Sequence, residues 1–267
     1  MPYFPRLSHS RVETHLGDAS IGGSTVYYKP LPNPGGANAK GAWLEFFTAT
    51  SFDVQWLLLN CQTAGNAWQF LDIGIGPAGS ERVVVPNLMV TVNQAYGSNA
   101  DSAITLPLFI PKGTRVAARY QYQSGGTAMF RLKMQLFSAS FSAVQGPQVW
   151  EGWGQNTTTT RGATVIAGAA HVKGAWVELI AATTLEARWV CAAIQGLESA
   201  RHYAFDMAIG AAGAEQVILP DMQFTGEQTG QFMGPLPLAI QKGARLAARM
   251  ACQTAGSQSL FSAWGGS

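Results

Sequence analysis

Charge is scarce in this sequence. Only 12% of its residues are Asp, Glu, Lys or Arg, about half the usual ~25%. The 17 basic and 15 acidic residues leave a formal charge of +2 at pH 7, spread along the chain. No basic stripe suggests a nucleic-acid partner, and no acidic block suggests a solvating tail. Few charges beside 47% hydrophobic residues exclude a disordered chain. They point instead to weakly charged surfaces of the kind buried between subunits. Long apolar runs are also missing. The most apolar stretch, Val177 to Ile194, is interrupted by Glu178, Glu186 and Arg188, which excludes a helical membrane span. Residues Met1 to Ser20 carry Arg6, Arg11, Glu13 and Asp18 and no apolar h-region, so no secretory signal is expected.

Metal and nucleophile patterns are equally thin. The three cysteines, Cys61, Cys191 and Cys252, form no C-x-x-C and read as buried thiols. His9, His15, His171 and His202 form no H-x-x-x-H or H-E-x-x-H, so a zinc site has no support. The run Gly76-Pro77-Ala78-Gly79-Ser80 places its serine after the second glycine and is not a nucleophile elbow. Asp72-Ile73-Gly74-Ile75-Gly76 lacks the Lys-Ser/Thr ending of a phosphate loop, and its second copy has Ala208 for the first glycine. Neither cofactor nor metal is expected.

What the sequence does contain is a duplication. Lys40-Gly41-Ala42-Trp43 recurs as Lys173-Gly174-Ala175-Trp176. Glu45 then matches Glu178, Trp56 matches Trp189, and Asp72 matches Asp206. Gly79 and Glu81 match Gly213 and Glu215; Leu106-Pro107-Leu108 matches Leu236-Pro237-Leu238. Lys112-Gly113 with Arg115 matches Lys242-Gly243 with Arg245, and Ala117-Ala118-Arg119 matches Ala247-Ala248-Arg249. The order is kept throughout. A period of about 130 residues is a domain, not a solenoid repeat. The expected division is an N-terminal arm, 1–14, a first domain, 15–145, and its duplicate, 148–267, joined near Gly146-Pro147.

Each domain reads as β. Phe130, Leu132, Met134 and Leu136 alternate with Arg131, Lys133 and Gln135, the period of a strand with one wet face. Short runs at 56–60, 70–75, 82–85, 106–110 and 115–121 are separated by Gly, Pro, Asn and Ser clusters, and Pro111-Lys112-Gly113 reads as a turn. The fold expected is all-β: two tandem antiparallel sandwiches, jelly-roll-like. The stretches 20–39, 87–102 and 151–160 read as long loops.

The charges and aromatics supply the candidate sites. Paired carboxylates on a β-sandwich suggest glycoside hydrolysis, with Glu45, Asp72 and Glu81 as candidates. All three recur, as Glu178, Asp206 and Glu215, beside the recurring Arg115/Arg245 and Arg119/Arg249. The favoured reading is one carboxylate–arginine set per domain, structural in role. Trp43/Trp176 and Trp56/Trp189 read as core. Trp150 and Trp153, in the interdomain segment, and Tyr27 and Tyr28 are candidate contacts for a glycan or partner.

The blocks Leu71-Asp72-Ile73-Gly74-Ile75-Gly76-Pro77-Ala78-Gly79-Ser80-Glu81 and Leu106-Pro107-Leu108-Phe109-Ile110-Pro111-Lys112-Gly113-Thr114-Arg115-Val116-Ala117-Ala118-Arg119 resemble stretches of structural proteins of tailed bacteriophages. The resemblance covers the motif blocks of both halves and brings no catalytic residue. It implies a virion setting; the function expected is a non-enzymatic virion structural component, of capsid decoration, neck, tail or fibre. Its partners would be other virion proteins and further copies of itself, a trimer in preference to a dimer, since three copies present six similar domains. The alternatives are a carbohydrate- or receptor-binding tail module, with host glycan as partner, and a β-sandwich glycan hydrolase or lyase.

Overall fold

The computed structural model describes residues 12–15, 20–21, 24–25, 28–63, 69–90, 101–122, 130–138, 146–155, 162–196, 201–226 and 230–267. Among them there is no helix. The first half runs β1 (Val12–His15), β2 (Ser20–Ile21), β3 (Ser24–Thr25), β4 (Lys29–Pro30), β5 (Leu44–Phe47), β6 (Val54–Thr63), β7 (Gln69–Ile75), β8 (Arg82–Val90), β9 (Asp101–Ile110), β10 (Val116–Tyr122) and β11 (Phe130–Phe137). The second runs β12 (Trp150–Trp153), β13 (Ala163–Ile166), β14 (Val177–Ile180), β15 (Ala187–Gly196), β16 (Arg201–Ile209), β17 (Gln216–Gly226), β18 (Gly230–Ile240), β19 (Leu246–Cys252) and β20 (Gln258–Gly266).

The two halves have the same topology. In the first, one sheet has the order β1-β11-β6-β9, with β4 also on β11, and the other the order β5-β10-β7-β8. In the second, β12-β20-β15-β18, with β13 also on β20, faces β14-β19-β16-β17. Every pairing is antiparallel. From β4 and from β13 onward, successive strands cross between the two sheets except at the β7–β8 and β16–β17 hairpins, as in a jelly roll. The duplicated sandwich expected from the sequence is therefore present, and 181–195 contains strand, not helix.

The strand pattern follows from residue periodicity. In β11, Phe130, Leu132, Met134 and Leu136 are fully buried while the intervening residues are half-exposed. They meet Leu57, Leu59 and Cys61 of β6 and, from the facing sheet, Leu71 and Ile73 of β7 and Val116, Ala118 and Tyr120 of β10. The second core repeats this with Val190, Ala192, Ile194, Phe205, Met207, Leu246 and Phe261. All three cysteines are buried and none is in a disulfide, and burial pushes the Cys191 thiol up.

Some boundaries differ from expectation. Val12–His15 pairs with β11, so the last residues of the expected arm belong to the sandwich. The first residues of the expected loop 87–102 complete β8, and its last two open β9. Trp150–Trp153 is a strand on β20. Tyr27 lies outside the described residues.

The halves also share a core. Trp150, Cys191, Ala193, Leu260 and Trp264 of the second half pack into the apolar cluster of the first. The Trp264 indole N–H donates to the Pro86 carbonyl at 3.1 Å and that of Trp150 to the Pro107 carbonyl at 3.1 Å. The Phe109 N–H donates to the Pro147 carbonyl at 2.8 Å. Trp56 and Trp189, expected in the two cores, meet each other edge to face, with centroids 6.0 Å apart. They are half-buried and their positions are set by the junction, not by either sandwich interior.

Candidate functional site

On the outer face of each four-stranded sheet the duplicated charges assemble into one repeated arrangement. Strands β7 and β10 pair with Arg119 opposite Asp72 and Ala117 opposite Gly74. Alternation sends Leu71 and Ile73 inward, so Asp72 and Gly74 face outward. The Arg119 Nε donates to Asp72 Oδ2 at 2.9 Å, and the Lys40 ammonium donates to Asp72 Oδ1 at 2.8 Å. Asn87 takes a left-handed conformation, φ 47°, which aims its N–H at Asp72 Oδ1, 2.8 Å away. An asparagine tolerates that conformation better than most residues. The Asp72 side chain is left 3% exposed.

The second half rebuilds the same set. Arg249 and Lys173 reach Asp206 at 2.9 and 2.7 Å, and the N–H of Asp221, also at φ 47°, donates to Asp206 at 2.9 Å. One difference matters electrostatically: where Lys40 meets the Asn87 amide, Lys173 meets the Asp221 carboxylate at 2.9 Å. Burial pushes the Asp206 carboxyl up, but the Asp221 N–H, Lys173 and Arg249 outweigh it and hold it below its ordinary value. For Lys40, burial outweighs the attraction of Asp72 and lowers its pKa.

A second set adjoins the first. Arg115 bridges Glu45 at 2.6 Å and Glu81 at 2.9 Å, and also donates to the Gly76 carbonyl. Arg245 does the same to Glu178, at 2.8 Å, and Glu215, at 3.2 Å, and to the Gly210 carbonyl. Glu45 and Glu178 are 41% and 49% exposed. The buried carboxylates of this set are Glu81 and Glu215, at 3% and 6%. Hydrogen bonds from Thr48 and Arg115 hold the Glu45 carboxyl below its ordinary value. Glu81 and Glu215 also end below theirs: their burial acts upward, and local N–H groups and the arginine prevail. None of these four shifted carboxyls is held protonated near neutral pH, as a glycosidic general acid must be. They act as fixed acceptors.

The aromatic member of each arrangement is a tryptophan that the sequence placed in the core. The Arg119 guanidinium lies 4.4 Å from the Trp43 ring centroid, and that of Arg249 4.3 Å from Trp176. Both indoles are half-buried and belong to the outer face. Trp43 rests over Gly74, where an added Cβ would come within 2.7 Å of Cη2. The signal was present in the repeated Lys-Gly-Ala-Trp quartet. Without knowing which face of the sheet it joins, a repeated tryptophan reads as core.

The aromatics singled out for recognition fare differently. Trp150 and Trp153 are 2% and 1% exposed, so they pack the sandwiches and their junction and offer no plane to a ligand. Tyr28 is half-buried and already engaged in an interaction. No group of three or more His, Cys, Asp or Glu suited to a metal ion occurs among the described residues.

No family model and no curated protein matches this chain. Among the solved structures that match is PNGase F, a glycosylasparaginase from Flavobacterium meningosepticum. The identity is 10%, the coverage 97% of this chain and 96% of that one, and the TM-score 0.38. This finding corrects the expectation of a non-enzymatic virion structural component: the protein found is an enzyme, so neither that role nor the exclusion of enzymatic activity is kept. At that TM-score the likeness carries no activity, substrate or residue role across.

Proposed function

We propose that this is a glycan-directed protein that holds saccharide at two equivalent sites, one on the outer face of each sandwich. The observation that carries the reading is the repeated Trp–Arg–Asp–Lys arrangement itself. Each copy sets a half-exposed indole against a guanidinium, with an ammonium and an aspartate whose positions are fixed by mutual hydrogen bonds. An indole offers an apolar plane to the C–H face of a pyranose ring. The cations and carboxylates offer directional donors and acceptors to its hydroxyls, already oriented before binding. Two like sites on one chain let a polymeric glycan bind with avidity that neither site has alone. The motif resemblance suggests the setting in which such sites would work, a phage particle meeting glycan on its host.

The test is a glycan array followed by calorimetry on the full chain, with released reducing sugar measured in the same samples. Trp43→Ala and Trp176→Ala should each weaken binding of a polymeric glycan about 10-fold or more, and the double variant should abolish it, with melting temperatures reported alongside. Unchanged affinity in the double variant refutes the reading. Sugar release that survives in that variant would place the chemistry elsewhere on the molecule and refute it equally.

A further inference from the structure

The duplication leaves one docking surface filled in the first half and open in the second. In the first half, β8 and β9 carry the Pro86 and Pro107 carbonyls that accept the Trp264 and Trp150 indoles, and the Phe109 N–H that donates to Pro147. Here Val84, Val85, Leu106 and Leu108 are at most 1% exposed, and Pro107 is buried. The repeated positions on β17 and β18 are Ile218, Leu219, Leu236, Leu238 and Pro237. The four aliphatic side chains are half-exposed and Pro237 is exposed, as is Pro220, the counterpart of Pro86. Val217, beside them, is 43% exposed. The same surface, built twice, is thus apolar in both halves and covered in only one.

What covers it in the first half is the outer side of the sheet containing β20 and β15: Leu260 and Trp264, with Cys191 and Ala193 beside them. Register identifies the counterparts in the first half. Cys191 pairs with Trp264 as Leu58 pairs with Gln135, and Ala193 pairs with Ser262 as Asn60 pairs with Lys133. Leu58, Asn60, Lys133 and Gln135 are all half-exposed. The polarity changes on both sides together. A serine on β20 becomes Lys133 on β11, and Asn87 beside the covered surface becomes Asp221 beside the open one, with its side chain 69% exposed. The cation Lys133 on one face matches on the other an exposed carboxylate that also holds Lys173 at 2.9 Å.

We infer that the β17–β18 surface of one copy receives the β6–β11 face of a second copy of this chain. The contact repeats between chains the one that already joins the halves within a chain. It is heterologous, so it closes into a ring or grows as a filament, and it is not a two-fold dimer.

Sedimentation or light scattering of the full chain at tens of micromolar, about the range where a standard-sized interface is occupied, tests this. Wild type should be an oligomer. The Val217→Glu/Pro237→Glu variant spoils the receiving surface at two exposed positions, and Lys133→Glu spoils the docking face. Each should fall to monomer while keeping the wild-type far-UV spectrum. Mixed together, the two variants retain one intact pair of surfaces and should form a heterodimer. A monomeric wild type, either variant retaining wild-type mass, or a mixture that stays monomeric overturns the inference. If a variant loses its far-UV spectrum, Val217→Glu alone for the receiving surface and Lys133→Ala for the docking face replace it, and the same outcomes are read.

Discussion

Removing the buried carboxylate of the first arrangement should cost more than removing its twin. In Asp72→Ala, three donors lose a carboxylate oxygen at once: Lys40 at 2.8 Å, the Asn87 N–H at 2.8 Å and Arg119 at 2.9 Å, and Lys40 keeps only the neutral Asn87 side-chain oxygen. Breaking a buried charge pair costs about 3–5 kcal/mol when the partner is left dry. Here the Lys40 and Arg119 side chains are 20% and 26% exposed and recover part of their hydration, while the Asn87 N–H recovers less. The expected loss is about 3 kcal/mol. In Asp206→Ala the geometry is nearly the same, but Lys173 keeps Asp221 at 2.9 Å. The Asp221 side of that pair is 69% exposed and the pair contributes at most ~1 kcal/mol, so the loss should be about 2 kcal/mol. Urea unfolding followed by tryptophan fluorescence reads both values, and calorimetry should show the Asp72 variant melting roughly 6–12 °C lower. Two variants within about 0.5 kcal/mol of wild type, or Asp206→Ala costing more than Asp72→Ala, would refute the reasoning.

Two further outcomes follow from the junction and the carboxylates. Trp264→Ala removes a buried indole and its hydrogen bond to Pro86, and should destabilise the protein by about 3–5 kcal/mol. Because Trp264 packs into the first core, the loss should appear as proteolytic cleavage within residues 69–110; cleavage confined to the second half would argue against a shared core. Glu45, Glu81, Asp206 and Glu215 have folded-state pKa values below their ordinary ones, so the unfolded chain takes up these protons first. Their contribution is present above the unfolded values, about pH 4, and is lost as pH falls through the folded ones. The urea midpoint should therefore drop between about pH 5 and pH 3, and a midpoint that rises over that interval contradicts the assignment.

Much of this protein is legible in its sequence. Alternation in Phe130–Phe137 defines a strand and its buried face, because a pleated chain repeats every two residues. Collinear matches from Lys40/Lys173 to Arg119/Arg249 define two copies of one fold, because a sandwich tolerates loop changes while its core and its ionic contacts restrict substitution. Which carboxylates are buried was not legible. Glu45 and Asp72 are equally repeated, yet one side chain is 41% exposed and the other 3%, since exposure depends on what the strand's neighbours lay over it. Nor was the place of the tryptophans. Trp43 and Trp56 read as core by residue type, but one lies against an arginine on the outer face and the other meets its own repeat across the junction. Trp150 and Trp153 read as accessible and are buried. Sequence period decides which residues share a face. Only the packing of sheet on sheet and half on half decides which face meets water, because burial is a property of the surfaces brought together and not of the strand that carries them.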